Sequence, residues 1–120
     1  MRVGFCMFAT PHTAAPAVVA RKVEEVGFES LWLPEHPIVP IHYQTHYALT
    51  ADGKIPDHFT CMPDPFIGLA GAAAVTKTIK LATGICLVPE RNPILLAKEV
   101  ATLDHNSGGR VLLGVGAGWL

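Results

Sequence analysis

"IKLATGICLVPERNPILLAKEVATLDHNSGGRVLLGVG" runs from Ile79 to Gly116, and its punctuation decides the fold. Ile79–Pro89 is nearly all apolar and closes on a proline, which reads as a strand buried on both faces. Asn92 then offers a helix cap and Pro93 a first helical position. Leu96, Val100 and Leu103 recur on one face, and Gly108 and Gly109 mark the stop. Arg110–Gly116 returns to a short apolar run. Strand, helix and strand at this spacing predict a parallel βαβ unit.

The same formula extends toward the N-terminus. "RVGFCMF" (Arg2–Phe8) reads as a first buried strand. In the helix after it, Ala15, Val19, Val23 and Val26 fall at helical spacing, opposite Arg21, Lys22, Glu24 and Glu25. Gly27 suits the left-handed residue beyond that helix. "SLWLPEH" (Ser30–His36) is a second strand, stopped by Pro34. "DPFIGLAGAAAVTK" begins with Asp64 as N-cap and Pro65 inside the helix. Between them, about residues 36–64 form a polar, His- and Pro-rich insertion with a small hairpin expected at Asp52-Gly53.

The order is therefore βα, βα, βα, β. Two α/β architectures fit it, a doubly wound sheet and part of an eight-fold barrel. For the barrel, strands one to four are expected to be parallel and in sequence order, with the helices on one outer side. Val3, Phe5 and Met7, with Val111, Leu113 and Val115, are expected to face the closed interior.

Composition narrows the function. Half of the 120 residues are hydrophobic, 16% are charged and the formal net charge is −1, so the chain is globular with no basic run for nucleic acid. Its longest greasy window is too short to span a bilayer, so no membrane partner is expected. Cys6, Cys61 and Cys86 are read as buried free thiols of a cytoplasmic protein. His42 and His46, or His58 and Cys61, have spacings that suggest zinc, but Pro37 and Pro40 disfavour a regular helix there, and no metal is expected.

Gly114, Gly116 and Gly118 alternate at the end of the fourth strand. A dinucleotide fingerprint needs glycine at position 119, where Trp stands, and belongs after a first strand. An adenosylmethionine-type GxGxG loop shares that second objection. Relief of crowding, where a strand bends or packs closely on its neighbour, is the remaining reading.

"SLWLPEH", "LATGICLVPERNPILLAKEVATLDHNSGGR" and "VLLGVGAGW", in this order and at these spacings, resemble the bacterial luciferase-like family of flavin- and deazaflavin-dependent oxidoreductases. "YALTADGKIP" and the "DPF" helix start extend the resemblance over essentially the whole chain. It implies the first half of a (β/α)8 TIM barrel, β1-α1-β2-α2-β3-α3-β4, hence an incomplete sequence that continues beyond Leu120. It implies coenzyme F420 as cofactor, with FMN as the alternative, and hydride transfer to or from a small organic substrate. An FMN-dependent monooxygenase and a non-catalytic remnant are the other readings. A homodimer is expected for the complete protein.

In a barrel the loops after the strands make the active site. The resemblance puts Glu35 and His36 beside the cofactor ring, with His36 as the catalytic proton carrier. It makes Thr83, Gly84 and Ile85 a bulge backing the ring, with a cis peptide at Gly84–Ile85. Trp119 stands where some relatives carry an acidic glutamate, and is assigned to the substrate pocket. Arg91 and Lys98 read as solvated surface charge, with a cofactor phosphate as the alternative.

Overall fold

The computed structural model describes residues 1–119; Leu120 lies outside them. Four strands form one parallel sheet in the order of the chain: β1 (Gly4–Cys6), β2 (Ser30–Leu33), β3 (Lys80–Leu87) and β4 (Val111–Gly116). Each connection carries a helix: α1 (Pro16–Glu25), α2 (Pro65–Val75) and α3 (Pro93–Ser107). Adjacent helices pack on one another and on one face of the sheet. This is the arrangement expected of the first half of a (β/α)8 barrel.

Local chemistry explains the element ends. The Asp64 carboxylate accepts from the Ile67 amide at 3.0 Å, and Asn92 caps α3 through the Ile94 and Leu95 amides. Gly108, at φ +74°, ends α3 in the left-handed region that L side chains avoid. Arg110, at the entry to β4, is buried although it has no carboxylate partner among the described residues. Its guanidinium donates instead to Thr76 Oγ1 and to the carbonyls of Ala73, Thr76, Ile79 and Ser107. Carbonyls at the end of α2 carry the negative end of the helix dipole, so they suit a cation.

Leu31, Leu33, Leu81 and Cys86 from the strands meet Ala20, Val23, Phe66, Leu69, Leu96 and Leu103 from the helices in the core. The register decides which other residues share that side. Phe5, Leu31, Leu81 and Val111 lie in one row across the sheet, and Thr83 pairs with Leu33 and Leu113. Phe5, Val111 and Leu113 therefore point toward the helix layer, not the interior. Phe5 stacks edge-on against Phe28, and Val111, Leu113 and Val115 line a groove beside α3. The row Cys6, Trp32, Ala82 and Leu112 faces the interior. The sequence expectation for Val3, Phe5, Met7, Val111, Leu113 and Val115 had the parity reversed. An all-apolar strand shows no alternation from which to read it.

Other expectations change locally. β1 is three residues long and exposed, because it pairs on one side only; Cys6 is exposed with it, whereas Cys86 is buried. In α1 the buried positions are Ala20 and Val23, and Ala15 and Val26 are exposed. Residues 36–64 hold a 3-10 helix, Asp57–Cys61, and no hairpin. Around Asp52-Gly53 the chain closes instead through Gly53 N to the Thr50 carbonyl and Tyr47 N to the Gly53 carbonyl.

Candidate active site

The C-terminal ends of β2, β3 and β4 converge with the 36–64 segment. His36, three residues beyond β2, lies edge-on to Phe59 with ring centroids 4.8 Å apart and to Trp119 at 5.8 Å. Tyr47 packs on both partners, 5.5 Å from Phe59 and 5.2 Å from Trp119. Phe8, from the loop after β1, and His58 close the other side of Phe59. Gly118, at φ +91°, turns the chain after β4 before Trp119 joins this cluster. Burial lowers the His36 imidazole below its usual value, against the opposing pull of Glu90 and Glu35.

Glu35 and His36 are adjacent in sequence but differ in environment. The Glu35 side chain is only 2% exposed and accepts from the Leu87 amide and from Nε and Nη2 of Arg91. Arg91 also donates to Asp64 at 2.7 Å and to Glu99 at 3.4 Å, and lies over the Phe66 ring at 4.9 Å. Its side chain is 14% exposed, so it is not the solvated charge that its position in a polar turn suggested. Glu35 beside it raises its affinity for the proton still further. Lys98 is exposed. Cys86, close to Glu35, is a thiol pushed up to about 11 by burial and then by the carboxylate.

Thr83, Gly84 and Ile85 form an irregularity in the pairing of β3 with β4, and the Gly84–Ile85 peptide is cis. The alternate glycines of β4 belong to this feature. A Cβ on Gly114 would stand 2.3 Å from the Thr83 carbonyl oxygen, and one on Gly116 would stand 1.8 Å from Ile85 Cδ1. Thr83 Oγ1 donates to the Gly114 carbonyl at 2.8 Å, drawing the two strands together. Gly84 faces Trp32, whose indole donates to Ser30 Oγ at 2.8 Å. Gly114 and Gly116 thus relieve crowding against the bulge, which was one of the sequence readings.

The structure therefore brings His36 and Trp119 together and gathers Thr83, Gly84 and Ile85 into one bulge. It turns the Glu35 carboxylate into the protein. Sequence reading missed Phe8, Tyr47 and Phe59, since aromatics in an irregular segment have no period to betray a shared face. Among the described residues, no group of three His, Cys, Asp or Glu side chains comes together as a metal site.

Residues 4–120 match the family described as luciferase-like monooxygenase. The chain belongs to that family. A relative, protein Rv0953c of Mycobacterium tuberculosis, is 42% identical over 120 residues, 99% of this chain and 43% of the relative. The chain thus spans less than half the length of that relative. Among solved structures, it resembles the oxygenating constituent of 3,6-diketocamphane monooxygenase from Pseudomonas putida, in complex with FMN. There the TM-score is 0.72 at 26% identity, covering 100% of this chain and 30% of that one. It also resembles the coenzyme F420 dependent tetrahydromethanopterin reductase of Methanopyrus kandleri, with TM-score 0.67 and 28% identity over 98% of this chain and 27% of that one. Luciferase-like relatives of this chain thus include both FMN and F420 proteins.

Proposed function

We propose that this chain is the first half of a luciferase-like barrel oxidoreductase that uses coenzyme F420 to move hydride to or from a small organic substrate. The observation that carries the proposal is His36, lodged among Phe59, Tyr47 and Trp119 at the strand ends where barrel enzymes place their chemistry. The residues fit a planar ring cofactor. Ile85 projects 40% exposed from the bulge, and an aromatic wall that carries the His36 imidazole stands at the same end of the sheet. Thr83, Gly84 and Ile85 would back the ring and His36 would stand beside it, while Glu35 holds the β2 end in place.

A bound deazaflavin supplies the hydride donor or acceptor. His36 handles the accompanying proton: burial favours its neutral imidazole, which accepts a proton at a ring nitrogen or returns it in the reverse direction. Phe59, Tyr47 and Trp119 exclude water around that transfer, and Trp119 presents its indole to an organic substrate. The FMN-dependent monooxygenase is the second reading, favoured by the likeness to the FMN-bound 3,6-diketocamphane protein.

Titration of the complete protein with F420 and with FMN, followed by cofactor fluorescence, separates the two. Saturable binding of F420 in preference to FMN is expected; the reverse order supports the monooxygenase, and saturation with neither counts against both. In the active protein, His36→Ala should lower kcat about 100-fold or more while changing KM little. An equal loss in both would make His36 a binding residue.

A further inference from the structure

We propose that Arg91 is a positioning residue of this site, a clamp that joins the ends of β2 and β3 to α2 and α3 and thereby holds His36 against Phe59 and Trp119. The inference rests on His36 being the proton-handling group. Its geometry stands independently. Arg91 directs Nε and Nη2 at Glu35, the residue before His36, and Nη2 also at Asp64, the cap of α2. Nη1 reaches Glu99 on α3, and Glu35 in turn accepts from Leu87 N at the end of β3. One guanidinium thus touches side chains from three elements, and Glu35 extends the contact to the fourth.

A largely buried ion pair returns little net stability, because both ions lose their water. What it does confer is geometry: the planar fork of Arg fits a carboxylate in one orientation, which the point charge of Lys does not enforce. Glu35 has little freedom while Arg91 and Leu87 hold it. His36, on the next peptide, inherits that restraint. His36 is also surrounded by groups that respond to the clamp. Glu35 adjoins it in sequence, Glu90 acts on it from the turn after β3, and Phe59 separates it from His58. Tyr47 reaches the same aromatic pair. Arg91 is the cation that offsets Glu35.

The test reads His36 through its neighbour. The chain has two tryptophans, so a Trp32→Phe background leaves Trp119 as the sole indole emitter. Protonated imidazole quenches a nearby indole, so emission against pH reports both the His36 midpoint and, by its amplitude, the closeness of the two rings. His36→Gln should abolish the step and so confirms its source. Arg91→Lys, which keeps the charge but loses the fork, should lose most of the amplitude with little change of midpoint. Arg91→Gln should lose most of the amplitude and also move the midpoint of the remaining step upward, because Glu35 then lacks its counter-cation. Adding Glu35→Gln to Arg91→Gln should bring the midpoint of the remaining step back down but leave the amplitude reduced. If the Arg91 variants lower only the melting temperature, with midpoint and amplitude unchanged, the proposal is overturned and Arg91 is a scaffold residue. Where Arg91→Gln does not fold, the amplitude of Arg91→Lys decides. None of these readings requires a cofactor, so a failure of F420 binding and a failure of the clamp are separately visible.

Discussion

At Gly114 one hydrogen atom determines whether β3 and β4 can approach. A Cβ there would press against the Thr83 carbonyl oxygen, and the Thr83 side chain bonds the Gly114 carbonyl. Alanine cannot be accommodated by turning a flexible side chain, since the obstacle is backbone. Gly114→Ala should therefore push the bulge away from β4 and destabilise the chain by about 1–3 kcal/mol, the usual cost of overpacking. Urea unfolding checks it, and a variant as stable as the parent would mean that the bulge moves freely. Gly118 is different in kind. Its backbone lies in the left-handed region, so the demand there is conformational. Arg91 shows the opposite limit of sequence reading. Its neighbours in the chain are Glu90 and Asn92, a polar context that signals solvent. Burial came from Glu35 and Asp64, which lie 56 and 27 positions away.

Among the elements, α1 is tied to the loop before β3 by a single side chain. Glu24 accepts from the amides of Lys77, Thr78 and Ile79 and from the Thr78 hydroxyl, at 2.6–3.2 Å. Burial pushes its carboxyl up, but these donors outweigh it and hold the group at about 2, below its ordinary 4.5. A carboxyl depressed by folding stabilises the fold in its ionised form. Its contribution is complete above the unfolded value and disappears as the pH falls from about 4.5 through about 2. Glu24→Gln should flatten that part of the stability-against-pH curve, and Glu24→Ala should cost about 1–2 kcal/mol at neutral pH. Thermal melts between pH 2 and 7 check both; parallel curves for Glu24→Gln and parent would remove Glu24 from the linkage.

For the molecule as a whole, the sheet is open. β1 and β4 each pair on one side only, leaving rows of backbone donors and acceptors on the outer edges. Phe5, Leu112, Leu113 and Val115 are exposed beside those edges. The 120-residue chain should therefore self-associate through its edges, and bind F420 weakly at most. Sedimentation at several concentrations checks the first expectation and F420 titration of the same sample the second. A stable monomer that binds F420 tightly would show that the four strands form a finished unit.

The sequence by itself determined the four strands and three α-helices, their order and the parallel sheet. Caps, prolines and glycine stops are local, and helical period and apolar runs are read within a few turns of chain. It also carried the family resemblance, which placed His36, Trp119 and the Thr83–Ile85 bulge at the strand ends. Only the tertiary structure decided which face each strand turns inward, because Val111 to Val115 carry no polar residue to mark a side. It likewise decided that Glu35 is held by Arg91, and that Phe8, Tyr47 and Phe59 gather around His36. Those are contacts between residues far apart in the chain, made where separate loops meet above one sheet. The chemistry of a single side chain cannot specify its distant neighbour; the register of the strands does.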